Sequence, residues 1–168
     1  MRTNLRMLRI ALVGVLLLVG AGIGSAKAPK AVPAKKFDAA ANAALAAMKA
    51  RAAQLNIQGV AVVAFAPGDS VERWTSQMAV VGHMTDHTNG DKGNNLLGIA
   101  YAKASEMART AKDSGTSGLT PMTGEFGWQG GVVVKTSKGL LIVAFSGGKS
   151  EDDVEVSKAG LTILKSAL

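Results

Sequence analysis

Two short apolar runs constrain this chain more than any other feature: "GVAVVAFA" at 59–66 and "LLIVAFS" at 140–146. Neither run alternates with polar residues, so each reads as a strand buried on both faces. Turn signals bound them, Pro67-Gly68-Asp69 after the first and Ser137-Lys138-Gly139 before the second. "VERWTSQMAVVG" (71–82) and "GVVVKT" (131–136) supply each with a neighbour, which predicts two antiparallel hairpins. A sheet that is apolar on both sides needs cover on both sides, and helices must provide it.

Three segments have helical periodicity. Asp38 is placed to cap a helix whose apolar positions Ala41, Leu45, Met48, Ala52 and Leu55 advance by four and three residues, and Asn56 ends it. Asn94 or Asn95 can cap a second helix from Leu96 to about Lys112, with Ile99, Ala100, Ala104, Met107 and Ala111 inward. Ser150 and Asp153 give a capping-box-like start to the last helix. Between these lie a polar loop at 83–95 and a long patternless segment at 113–129, a length expected of functional or mobile loops. Helix, hairpin, helix, hairpin, helix is an α+β order, one domain over 38–168.

The first 28 residues read as a leader rather than fold. Arg2, Arg6 and Arg9 precede a 15-residue apolar run, "IALVGVLLLVGAGIG", and Ala26-Lys27-Ala28 is a small-x-small cleavage pattern. This is the signature of a secretory signal peptide. The run is shorter than the roughly 20 residues a spanning helix needs, which leaves an uncleaved anchor as the second reading; once the peptide is cleaved, no stable membrane insertion is expected. Residues 29–37, Ala, Pro and Lys in the main, are expected to be a flexible linker. The product is then periplasmic or secreted. With no cysteine in the chain, disulfides, a lipoprotein anchor and thiolate chemistry are all excluded.

Net charge is +7, yet the leader holds four of the basic residues and Lys30, Lys35 and Lys36 three more. From Phe37 onward, 12 basic residues meet 12 acidic ones. A neutral domain lacks the basic face that phosphate neutralisation requires, so no nucleic-acid partner is expected.

"GHMTDH" (82–87) holds both histidines, His83 and His87. Their spacing suits one face of a helix, but the first is not followed by Glu, as the zinc-protease motif requires, and Thr88-Asn89-Gly90 opposes a helix. Zinc would need two more ligands, with Asp86 and Asp91 nearest. A haem iron needs only one imidazole facing an apolar slot, with Met78 or Met84 as a second ligand. A solvated polar loop is the third reading. No Ser-His-Asp order, nucleotide-binding glycine loop or carboxylate pair in an apolar setting marks an enzyme.

The second half carries a resemblance. "GIAYAKASEMA" (98–108), "GGVVVK" (130–135) and "AFSGGKSEDDVEVSKAGL" (144–161) resemble, in order, the HbpS/GlcG-like haem-binding (haem-degrading) family. That family shows an A-x-x-K-A helix, a Gly-Gly pair opening a strand, and an S-G-G turn leading to a helix with an early Asp and a late A-G-L. Here they fall on Ala100, Lys103 and Ala104; Gly130 and Gly131; Ser146, Gly147 and Gly148; Asp153 and Ala159-Gly160-Leu161. This chain departs at "AFAPGD", at Val133 and at Ser105-Glu106-Met107.

The resemblance implies a profilin-like antiparallel sheet flanked by helices, in subunits that associate as homo-oligomers. It implies an extracytoplasmic haem or tetrapyrrole binder for sequestration, transport or sensing. The alternatives are an organic-acid-binding module without haem, using a cleft near Gly130 and Lys103, and peroxide-dependent haem degradation. Candidate cofactor contacts are then His83, His87, Lys103, Met107, Gly130 and Gly131, the histidines also serving as metal ligands. Lys103 either extends to water or pairs with a propionate or another carboxylate. Met107 with Tyr101 lines a flat slot or belongs to the core, and the glycines serve a turn or close approach of a ligand.

Overall fold

The computed structural model describes residues 32–87 and 92–168. The proposed signal peptide, and Asp91 as a zinc ligand, lie outside the described residues. Helix α1 (Ala34–Gln54) leads into strands β1 (Gly59–Pro67) and β2 (Thr75–Val81). A two-residue pairing of β3 (Thr85–Asp86) with β4 (Asn94–Asn95) precedes α2 (Leu96–Thr110). Strands β5 (Gly131–Thr136) and β6 (Gly139–Ser146) and helix α3 (Ser150–Ala167) complete the chain. The main sheet is antiparallel in the order β2-β1-β6-β5. This is a single α+β domain with a four-stranded antiparallel sheet flanked by helices, in keeping with the profilin-like expectation.

The two apolar runs are the central strands, and both are buried almost end to end. Successive side chains point to opposite faces, so each strand serves two cores. Ala61, Val63 and Phe65 join Leu141, Val143 and Phe145 beneath α1 and α3. Val60, Val62, Ala64 and Ala66 join Leu140, Ile142 and Ala144 beneath α2. Alanine dominates the buried stripe of α1, where Ala40, Ala41, Ala44 and Ala52 bring the backbone close to the sheet. Among the described residues no helix is long and apolar enough to cross a membrane.

Four boundaries differ from the sequence reading. Helix α1 begins at Ala34, four residues before Asp38, with Pro33 at its N-cap and no side-chain cap. The Pro33 carbonyl accepts from the Lys36 and Phe37 amides, and Phe37 is buried at 1% exposure. The expected linker therefore ends four residues early, because burying Phe37 extends the helix and Pro33 fixes its start. Asp38 instead accepts a hydrogen bond from Gln77 Nε2 on β2 at 2.8 Å.

Strand β2 begins at Thr75, not Val71, since Phe65↔Thr75 is the last β1–β2 pair. Beyond it, Ala66 and Pro67 pair only with β6, and Gly68 N turns to the Lys138 carbonyl at 2.9 Å. Residues 71–74 have no strand to join among the described residues. At the last helix, Lys149 rather than Ser150 is the N-cap, without a side-chain cap. Helix α2 is capped as expected by Asn95, whose Oδ1 accepts from Gly98 N at 3.0 Å. It stops at Thr110, so Ala111 is exposed in the left-handed region rather than inward.

Candidate functional site

Four of the six candidate residues meet at one place, where α2, the start of β5 and the start of α3 converge. Lys103 is 3% exposed and its ammonium donates to Asp153 Oδ2 and to the Phe145 carbonyl, both at 2.8 Å. Asp153, also 3% exposed, accepts from Gly148 N through its other oxygen at 2.8 Å. Of the two readings of Lys103, extension to water is thus replaced by pairing with a carboxylate of the same chain. Burial pushes Lys103 below the usual lysine range and Asp153 above the usual carboxylate range, and their mutual attraction opposes both shifts.

The glycine pair closes this arrangement from the other side. Gly130 has φ +136°, and a Cβ there would run into Lys103 Nζ and come within 2.9 Å of Asp153 Cβ. A Cβ on Gly131 would strike the end of Met107, a fully buried core residue. The Gly130 carbonyl accepts from Ser157 Oγ at 2.7 Å and from Phe145 N at 3.0 Å. Close approach is what the glycines supply, and here it is approach by Lys103 and Met107. The space left outside is a polar cleft of about 140 Å³ with Asp86, Lys103, Asp153, Ser146 and Trp128 in its wall. That volume is below the roughly 300–1,000 Å³ of small-molecule sites.

The histidines stand elsewhere. His83 is exposed, with Nδ1 2.7 Å from Gln58 Oε1. His87 is exposed beyond β3, its ring against Gly93. The intervening segment is a bend and a two-residue strand, so no helical face brings the rings together. Among the described residues no three His, Asp or Glu side chains are grouped to hold a metal ion. Met84 is 43% exposed, whereas Met78 packs against the core beneath α2.

A larger cavity lies where sequence reasoning placed the start of a strand. Residues 71–74, left without a partner, form one wall of an open cleft of about 420 Å³, and Ser105, Ala108 and Arg109 of α2 form the other. Its surface is mainly apolar. Trp74 is braced by Tyr101, ring centroids 6.3 Å apart at 57°, with the Tyr101 hydroxyl 3.4 Å from Ser76 Oγ. Arg109 is held in a two-pronged pair with Glu125, Nε to Oε1 at 2.8 Å and Nη2 to Oε2 at 2.7 Å. Chiefly through this bonding, Arg109 lowers the Glu125 carboxyl to about 2. Arg73 has no hydrogen bond or ion pair among the described residues, so its guanidinium is free to receive an anion. The available signal was the Arg73-Trp74 dipeptide, an unsuitable start for a strand in a buried sheet.

The 113–129 segment is tied down rather than loose. Besides Glu125, Ser114 exchanges hydrogen bonds with Gly131, Asp113 Oδ1 accepts from Val133 N at 2.8 Å, and Phe126 stacks on Trp128 with centroids 4.8 Å apart. Glu106, buried on α2, accepts from Gly115 N through Oε1, while Oε2 has no partner among the described residues. No protein-family model matches this chain, and no curated protein matches it.

Proposed function

We propose that this protein is an exported binding module for a planar, largely apolar molecule that carries carboxylates. Haem or another tetrapyrrole is the ligand that the resemblance to the HbpS/GlcG-like family implies, and an aromatic organic acid is a smaller member of the same chemistry. The observation that carries the reading is the cleft beside Trp74: its volume of about 420 Å³ and mainly apolar surface fall in the range of small-molecule sites, roughly 300–1,000 Å³. The indole offers a flat stacking surface, and Arg73 offers a fork for a carboxylate. Export rests on the sequence of residues 1–28.

These residues fit the periphery of a macrocycle and not its iron. Trp74, Val71 and Ala108 would hold the ring and Arg73 a propionate, whereas neither histidine lines the cleft. Binding by this route does not depend on iron. Purified protein titrated with hemin, metal-free protoporphyrin and 2-naphthoate is expected to show saturable quenching of tryptophan fluorescence with both porphyrins at comparable affinity. Trp74→Phe should remove most of the quench. Arg73→Glu should weaken binding about tenfold or more, the size expected for losing a charged hydrogen bond. His83→Ala and His87→Ala should leave it unchanged. Absence of binding by all three ligands overturns the reading. Binding of hemin alone, lost in either histidine variant, would move the site to the 82–87 segment.

A further inference from the structure

We infer that the outer edge of β2 is where two copies of this protein pair, joining their sheets into one. The two edges of the sheet are treated differently. At β5 the chain covers its own edge: Ser114 N donates to the Gly131 carbonyl at 3.2 Å, Ser114 Oγ accepts from Gly131 N, and Asp113 accepts from Val133 N. At β2 no equivalent cover exists among the described residues, where the strand pairs only with β1. Beyond that ladder, the one backbone hydrogen bond it receives among the described residues is from His83 N to the Val81 carbonyl, at its very end.

An open strand edge is a template for another strand, and proteins ordinarily blunt it with Lys, Pro or a bulge. The sequence of β2, "TSQMAVV", has no charge and no proline. All seven residues pair one to one with β1, so there is no bulge either. Val80 is 40% exposed although its β1 neighbour Val60 is fully buried.

The occupant is a second β2 because this strand is complementary to itself. Two-fold antiparallel pairing keeps each face on its own side and sets one residue opposite its own copy. With Met78 at the axis, Met78 meets a second Met78 and Val80 meets Ser76 on the α2 face, while Gln77 meets Ala79 on the α1 face. No like charges oppose one another. The exposed Val80 gains cover, and the unpaired N–H and C=O groups find partners.

The chain lacks cysteine, which makes the test clean. Purified protein is expected to sediment as a dimer, and β2 amides should be protected from hydrogen exchange in the dimer. Among Gln77→Cys, Met78→Cys and Ala79→Cys, the variant at the axis should form a disulfide-linked dimer on mild oxidation, since directly opposed strand residues meet the geometry of the bond. Ser137→Cys, on the exposed β5–β6 turn, should not. Val80→Lys should weaken the dimer about tenfold or more by placing charge on the edge, with porphyrin binding unchanged. A protein that remains monomeric at every concentration overturns the inference. So does a dimer whose three strand cysteines cross-link no better than Ser137→Cys, the outcome expected if another face, or an extended peptide of another protein, is the true occupant.

Discussion

Lys103 and Asp153 lie 50 residues apart, and their pairing is the clearest instance of a contact that no local pattern encodes. The sequence marks Lys103 as a charge on an alanine-rich helix face and Asp153 as one of three consecutive acids at a helix start, but not that the two share one buried site. Removing one member of a buried pair strands the other without water, at a cost of about 3–5 kcal/mol, whereas replacing both with apolar residues of like volume is often neutral or stabilising. Lys103→Ala and Asp153→Ala should therefore each lower stability by about that amount in urea unfolding. Lys103→Met with Asp153→Leu should recover much of it. Equal losses in all three variants would show that the close fit against Gly130 matters more than charge. The Gly130–Gly131 pair was visible as a backbone requirement; what approaches it was not.

At the scale of elements, periodicity made the central strands, α2 and the body of α1 and α3 legible, because their burial follows the period of the backbone. The ends were less legible, since tertiary contacts decide them. Phe37 looked like linker and is core, so removal of residues 34–37 should destabilise the domain by about 3–5 kcal/mol, the range for losing a buried aromatic side chain; an unchanged midpoint in thermal or urea unfolding would refute this. The 113–129 segment offered no pattern because its order comes from scattered hydrogen bonds to β5 and α2 and from the Arg109–Glu125 pair, none of which follows a period. Glu125 has its carboxyl lowered from 4.5 to about 2 by Arg109. A carboxyl lowered by folding contributes stability above its unfolded value and loses it as pH falls through the folded one. The segment should loosen between about pH 4.5 and pH 2, read as a change in Trp128 emission and faster amide exchange at 119–128. Glu125→Gln should show the loosened behaviour at neutral pH and lose the transition.

For the whole molecule, two apolar runs and three helical periods sufficed to place a helix-covered antiparallel sheet in one domain. The cleft beside Trp74 was not legible in the same way. It exists because β1 gives its last two residues to β6 alone, which leaves 71–74 to line a wall rather than extend a strand. The fluorescence titrations with Arg73→Glu and the cysteine scan of β2 address two surfaces that share no residue, so either proposal can fail without the other.

The sheet also acts as a bulkhead between its two cores. Helix α3 lies in the layer with α1, while the Trp74 cleft borders α2 in the layer behind. A sensor surface that holds the molecule by the outer face of α3 thus leaves the cleft facing the sample, whereas a tether on α2 would lie across its mouth.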